Sequence, residues 1–136
     1  MKTLVVAAAL IARGKRILLA QREAEDDWGL RWEFPGGTLE EDEGPRDCIK
    51  RELREELGIE VEIGGIYHVT FERYERFNVL LLVYRCTITK GIPAAIACQE
   101  VRWVEKQGLI DLPMPPADEE IRERILREDP WDLGAA

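Results

Sequence analysis

Histidine and cysteine, which build zinc sites and disulfide frameworks, are scarce in this chain. His68 is the one histidine, and Cys48, Cys86 and Cys98 are the three cysteines among 136 residues. The cysteines form no CxxC pair and have no histidine cluster beside them, so neither a zinc site nor a disulfide scaffold is predicted. We predict reduced, partly buried thiols in a cytoplasmic protein. His68 lies in a predicted β segment and is interpreted as structural.

Long apolar runs and excess positive charge are also missing. No apolar run approaches the roughly 20 residues that a membrane-spanning helix requires. The start, MKTLVVAAALIARGKR, imitates a signal peptide, but a second apolar run, ILLAQR, follows at once and favours a β-hairpin. The 19 basic and 27 acidic residues give a net charge of −8, which argues against sequence-independent binding of nucleic acid. We therefore expect neither a membrane nor a nucleic acid polymer as partner.

The order of the predicted elements indicates one mixed α/β domain. Strands are predicted over 3–12, 16–21, the WEFPGG segment, 61–72, 77–89 and 101–104. A helix is predicted to begin at Pro45 and to end before Gly58, and a second follows the proline-rich DLPMPPA segment. We expect a single domain over residues 1–130 and a flexible tail over residues 131–136.

Three glutamates crowd one face of the central helix. At about 100° per residue, Glu52, Glu55 and Glu56 fall within about 100° of one another, beside an apolar stripe that faces the sheet. Like charges at this spacing repel, but clustered carboxylate oxygens are ligands that Mg²⁺ prefers. A solvated acidic face, offset by Arg51 and Arg54, is the alternative that this pattern alone allows.

The residues in front of the helix distinguish these alternatives. Gly36 and Gly37 permit a close approach of the backbone to a ligand or metal. From Gly37 the order is glycine, five residues, Glu43, seven residues, then the run RELREELGI. This order resembles the signature box of the Nudix hydrolases at every defined position. Seven fixed identities at about 7% usage each would arise by chance less than about once in 10⁷ starting points.

The resemblance implies a fold and a metal site. The implied fold is an α/β/α sandwich around a mixed β-sheet, in which the box forms a loop, a helix and a loop. The implied cofactor is Mg²⁺, with Mn²⁺ as a substitute, bound by Glu52, Glu55, Glu56 and the carbonyl of Gly36. The same three glutamates are the expected catalytic residues, and Glu52 is expected to orient or deprotonate the attacking water.

The resemblance also assigns two further groups of residues. The structural group ties the loop to the helix and closes the helix; it consists of Glu43, Arg51 and Gly58. The substrate group lies near the phosphates or the base; it consists of Arg22, Phe34, Gly37 and Asp118.

Two positions depart from the family pattern. Many relatives carry lysine after the two glycines, where this chain has Thr38. Relatives often place an auxiliary glutamate at a position that matches Ala97 here. We expect Glu100 or water to supply the auxiliary group.

The segments ILLAQR, WEFPGG and PPADEEI look like the MutT-like branch of the family. Its members convert nucleoside triphosphates to nucleoside monophosphates and pyrophosphate. The resemblance therefore implies a nucleotide-pool sanitising enzyme, a monomer or homodimer, that acts on 8-oxo-dGTP, on cytidine nucleotides or on both. Asp118 is compatible with either base. An ionised aspartate accepts a hydrogen bond from cytosine N4, whereas a protonated aspartate also donates one, as a purine edge requires.

Three alternative functions stay open. The box recognises a diphosphate and its metals, so ADP-ribose, a sugar nucleotide or a dinucleoside polyphosphate are alternative substrates. A nucleotide-sensing domain without turnover is a second alternative, although the box is complete. An acidic structural module with a fortuitous box is the third.

Overall fold

The computed structural model describes residues 1–128 as seven strands and three helices. The strands are β1 (Thr3–Arg13), β2 (Arg16–Gln21), β3 (Trp32–Glu33), β4 (Gly36–Thr38), β5 (Glu60–Arg73), β6 (Asn78–Lys90) and β7 (Glu100–Glu105). The helices are α1 (Pro45–Leu57), α2 (Lys106–Leu109) and α3 (Pro116–Arg127). The predicted tail over residues 131–136 and the predicted boundary at residue 130 lie outside the described residues.

Strand β1 is the centre of a mixed sheet with the order β3-β2-β1-β6-β5. It pairs in parallel with β6 from Thr3–Asn78 to Ile11–Cys86, and β5 completes that side antiparallel to β6. Its residues alternate between two buried clusters, because successive side chains of a strand point to opposite faces. Both faces of β1 are therefore covered, as the predicted sandwich requires.

The predicted hairpin of the first two strands is present only at its turn. Gly14 has a φ of 60° there, and β1 and β2 pair only at Ala12–Ile17 and Arg13–Arg16. Beyond the turn, β2 pairs with β3 and β7 instead. The two strands diverge because each finds a longer partner elsewhere in the sheet.

The two glycines before the central helix were predicted to end the strand of the WEFPGG segment. In the structure they belong to a separate strand, β4. Gly36 and Gly37 lie in β4, which pairs antiparallel with β1 at Ala8 and Ala7. A Cβ atom on Gly36 would lie 2.6 Å from the Cα of Ala8, so a strand this close to β1 requires glycine. The short helix α2 was likewise absent from the sequence prediction.

Helices α1 and α3 cover opposite faces of the sheet. Ile49, Leu53 and Leu57 of α1 are fully buried in one cluster, and Ile121 and Ile125 of α3 in the other.

The predicted ends of α1 are confirmed: Pro45 is its first residue, and Gly58 follows it with a φ of 69°. The cysteines are free, as predicted. Within residues 1–128, the longest helix has 13 residues, too few to cross a bilayer.

Candidate active site

A cleft of about 460 Å³ lies between the acidic face of α1, strand β4 and the loops after β2 and β5. This volume is within the usual range for small-molecule sites, about 300 to 1,000 Å³. The lining includes an acidic group of three glutamates, Glu33, Glu52 and Glu56, and an aromatic group, Trp28, Tyr74 and Phe77. Eight of the eleven residues that the sequence analysis assigned to the site or to the structural group line the cleft: Arg22, Phe34, Gly36, Gly37, Arg51, Glu52, Glu56 and Asp118.

Glu52 is held where α1 meets β4. Its side chain is 15% exposed, and its Oε1 accepts a hydrogen bond from Arg51 Nη1 at 2.8 Å. A Cβ atom on Gly37 would lie 2.6 Å from both carboxylate oxygens of Glu52. Gly37, the first residue of the box, therefore makes the space that this carboxylate occupies.

Glu56 and Glu33 place two further carboxylates near Glu52. Burial and the negative charges of Glu52 and Glu33 raise the pKa of Glu56 to about 9. Burial also raises the pKa of Glu33, although Arg22 opposes the shift. At neutral pH a proton on Glu56 thus relieves the repulsion within the acidic group, a task that a bound cation can also perform.

Glu55 lies apart from the acidic group. Its side chain is 59% exposed, and its carboxylate contacts Arg51 Nη1 at 3.2 Å. The helical wheel gives the reason. Relative to Glu52, Glu56 is rotated by about 40° toward the apolar stripe and Glu55 by about 60° away from it.

Arg51 forms an ion pair with Glu43, the other charged residue of the structural group. Its Nε and Nη2 donate to the two Glu43 oxygens at 2.7 and 3.0 Å, a bidentate arrangement. Its Nη2 also donates to the Thr38 carbonyl at 3.4 Å. One guanidinium therefore joins the loop before α1 to the acidic face of the helix.

The Glu43–Arg51 pair predicts how stability depends on pH. Hydrogen bonds from Arg51 and from the Glu40 backbone lower the pKa of Glu43 to about 2, from an ordinary value of 4.5. The unfolded chain thus binds this proton first, so the stabilisation is complete above pH 4.5 and is lost as the pH falls toward 2. Glu43→Gln should lower the urea midpoint at pH 7 and weaken its dependence on pH between 4.5 and 2.

Glu41→Gln, an exposed change in the same loop, is the control and should leave that pH dependence as in the wild type. Equal slopes for Glu43→Gln and the wild type would contradict the role given to the pair.

Arg22 lines the cleft but is engaged by protein groups. Its Nη1 donates to Glu33 Oε1 at 2.8 Å, and its Nε donates to the Asp27 carbonyl at 2.7 Å. The residue predicted to lie near the phosphates therefore also holds Glu33 and the loop after β2.

Asp118 is buried, with 7% of its surface exposed, at the start of α3. Its Oδ1 accepts a hydrogen bond from the Phe34 backbone N–H at 3.3 Å. Burial, followed by the charge of Glu33, raises the pKa of Asp118 well above its ordinary value. Phe34 is only 2% exposed, and its contact with Asp118 is made by its backbone N–H.

Glu33 lines the cleft but is not among the site residues predicted from the sequence. Trp32 and Phe34 are buried on either side of it, and the period of two along an extended segment directs the residue between them to the other face. That alternation, just before the two glycines, was the available signal. Glu100, the expected auxiliary residue, instead contacts Arg102 at 3.4 Å on the exposed surface.

The donor set fits a hard divalent cation. Within residues 1–128, no three acidic, histidine or cysteine side chains are already gathered closely enough to hold a metal ion. Mg²⁺, however, commonly uses one or two carboxylates and completes its shell with water and substrate phosphates. Glu52 and Glu56 supply such carboxylates in the cleft, beside the backbone of Gly36.

A family model, related sequences and a solved structure all match this chain. The family model of the NUDIX domain matches residues 1–128. The chain is 39% identical over 119 residues to the CTP pyrophosphohydrolase of Escherichia coli, a match that covers 87% of both chains. It is 33% identical over 136 residues to the 8-oxo-dGTP diphosphatase of Haemophilus influenzae, covering 93% of this chain and 95% of that one. The crystal structure of a MutT NUDIX hydrolase from Burkholderia pseudomallei shares the fold, with a TM-score of 0.83 at 24% identity over 92% of this chain and 99% of that one.

Proposed function

Because the chain belongs to the Nudix hydrolase family, we propose that it is a metal-dependent pyrophosphohydrolase of nucleoside triphosphates. The observation that carries the proposal is the complete box, which lines a nucleotide-sized cleft with Glu52 and Glu56. The names of the two relatives support cytidine and 8-oxo-guanine nucleotides as substrates. Hydrolysis of 8-oxo-dGTP would remove an oxidised nucleotide from the cytoplasmic nucleotide pool and so keep it out of DNA.

Three glutamates of the box and the glycine before it would bind the metal in this reaction. Glu52, Glu55, Glu56 and the Gly36 carbonyl would hold Mg²⁺ or Mn²⁺, and Glu55 would do so from the exposed edge of α1. When bound, the metal neutralises charge that develops on the phosphates. Glu52 orients a water molecule and accepts its proton.

The reaction needs no covalent intermediate. The water oxygen bonds to the β-phosphorus, and the bond from that phosphorus to the α–β bridging oxygen breaks. The bridging oxygen leaves with the nucleoside monophosphate, and the new oxygen stays on the pyrophosphate.

The direct test is pyrophosphate release from CTP, dCTP, 5-methyl-dCTP, dGTP and 8-oxo-dGTP, with Mg²⁺ and with excess EDTA. We expect release from CTP or 8-oxo-dGTP that requires the metal and is at least tenfold faster than from dGTP, the order of discrimination that a matched hydrogen bond provides. ADP-ribose, a sugar nucleotide and a dinucleoside polyphosphate complete the panel. Faster turnover of one of these three would contradict the proposal.

Asp118 provides the means of reading the base. Since the Phe34 N–H occupies Oδ1, the other oxygen of Asp118 is the one available to a ligand. An ionised carboxylate there accepts from cytosine N4, whereas a protonated one donates to a purine edge. The raised pKa of Asp118 brings the protonated form closer to neutral pH and so supports 8-oxo-dGTP beside CTP.

Asp118→Asn should change base preference without loss of the fold. The amide oxygen would keep the Phe34 N–H, so the amide nitrogen, a donor only, would take the position available to the base. We expect the ratio of kcat/KM for 8-oxo-dGTP over CTP to rise about tenfold, the scale of one matched hydrogen bond. Glu119→Gln, on the exposed side of α3, is the control. Unchanged ratios across the panel would show that Asp118 does not read the base.

A further inference from the structure

An exposed tryptophan lies in the wall of the cleft, outside the family box. Trp28 is 39% exposed and lines the cleft from the loop between β2 and β3. We name this segment, residues 22–31, the tryptophan loop. A large aromatic side chain that is left open to solvent in the wall of a binding cleft is a candidate ligand contact.

The tryptophan loop is held by hydrogen bonds within the loop and to β2. The Leu30 N–H donates to the Arg22 carbonyl at 3.1 Å, and Gln21 Nε2 donates to the Leu30 carbonyl at 3.0 Å. The Arg31 N–H donates to the Trp28 carbonyl at 3.2 Å. Together with the bond from Arg22 to the Asp27 carbonyl, these contacts fix the position from which the indole projects.

The backbone of Trp28 is itself unusual. Its φ is 58°, in the left-handed region that residues with a Cβ rarely adopt. Such conformations persist where the surroundings over-determine them, and they concentrate at ligand-binding sites. Glycine or asparagine would be more favourable in this conformation, yet the chain has a tryptophan at this position.

The indole is one member of the aromatic group. The Trp28 and Tyr74 ring centroids are 5.7 Å apart at 46°, and the Tyr74 and Phe77 centroids are 5.4 Å apart. Tyr74 Oη accepts a hydrogen bond from the Ala117 N–H at 3.3 Å, one residue before Asp118. The aromatic group thus connects the tryptophan loop to the position proposed to read the base.

Trp28 keeps more of its surface exposed than Phe34, although the guanidinium carbon of Arg31 lies 5.1 Å from the centroid of its ring. Phe34 is 2% exposed and has little surface left to give to a ligand, whereas Trp28 is 39% exposed. We propose that Trp28 stacks on the nucleobase of the substrate and so positions it. This inference rests on the proposed function. Stacking on an indole tolerates different bases, so one residue would serve both cytosine and 8-oxoguanine.

The test distinguishes a contact with the base from a contact with the phosphates. Steady-state kinetics with CTP and with ribose 5-triphosphate, which lacks a base, would be measured for Trp28→Leu and Trp28→Phe. Leu30→Ala is the matched control, since Leu30 has a φ of 63° in the same loop, is 47% exposed and does not line the cleft. We expect Trp28→Leu to raise the KM for CTP about tenfold, the lower part of the range for one base–aromatic stack, with kcat within about twofold.

The other outcomes follow from the same contact. The KM for ribose 5-triphosphate should stay unchanged in Trp28→Leu, Trp28→Phe should recover most of the affinity for CTP, and Leu30→Ala should behave as the wild type. An unchanged KM for CTP in Trp28→Leu, or equal increases for CTP and ribose 5-triphosphate, would overturn the proposal.

A binding measurement keeps this test independent of the reaction. Titration calorimetry with CMP, dGMP and ribose 5-phosphate reports the base contact even if triphosphates prove not to be the substrates. Trp28→Leu should weaken CMP and dGMP about tenfold, by the same stacking range, and leave ribose 5-phosphate unaffected. Equal affinities of the wild type and Trp28→Leu, or no binding of either nucleotide by the wild type, would overturn the role of Trp28. Failure of the triphosphate panel alone would overturn only the proposed function.

Discussion

Glu52→Gln should lower kcat by at least about 100-fold at saturating Mg²⁺ and substrate, the usual scale for a lost acid–base group. Glutamine has nearly the shape of glutamate, and its amide oxygen can still accept the hydrogen bond that Arg51 Nη1 donates to Oε1 at 2.8 Å. The fold should therefore be kept. The change removes the negative charge that binds a cation and the basicity that takes the proton from water.

The measurement is the initial rate of pyrophosphate release, with the thermal midpoint of unfolding recorded on the same samples. Asp47→Asn is the matched control, because Asp47 is an exposed acid in the first turn of the same helix. It should retain the wild-type rate. Near-normal kcat in Glu52→Gln would mean that the proton is taken by another group.

Gly37→Ala should reduce kcat to a similar degree while the protein stays folded. The new methyl group would lie 2.6 Å from both carboxylate oxygens of Glu52, so that side chain must move. A displacement of about 1 Å at a reacting group can cost about 100-fold in rate. Alanine adds no backbone strain here, because Gly37 is not among the described glycines with positive φ.

Gly36→Ala is the contrasting variant, one residue earlier. Its methyl group would lie 2.6 Å from the Cα of Ala8, and backbone cannot move aside as a glutamate side chain can. Gly36→Ala should therefore lower the thermal midpoint by separating β4 from β1, whereas Gly37→Ala should lower kcat at a nearly unchanged midpoint. The interpretation fails if Gly37→Ala retains full kcat or if both variants lose stability equally.

Local patterns in the sequence determined the central helix and its chemistry. Pro45 and Gly58 mark its ends, and the period of 3.6 residues separates its apolar stripe from its acidic stripe. Both depend on neighbours within a few residues along the chain. The family resemblance rests on the same short box, which is why family and fold class could be predicted without coordinates.

Only the tertiary structure decided which carboxylates meet. Glu33 joins Glu52 and Glu56 in the cleft, while Glu55 remains at the exposed edge of the helix. Glu33 comes from β3, a two-residue strand, and it reaches the site because β3 pairs with β2. No local period encodes that meeting, since it depends on pairing between segments that are distant along the chain.

The positions of the tryptophan loop and of strand β4 were also decided by the tertiary structure. The sequence indicated the glycine pair before the helix but not where it would lie, and it indicated no role for Trp28. The contact of Trp28 with Tyr74 joins residues 46 positions apart, and the close approach of Gly36 to Ala8 requires β1 to be in place first. Periodicity specifies which face of an element is buried, whereas long-range packing decides which elements share a site.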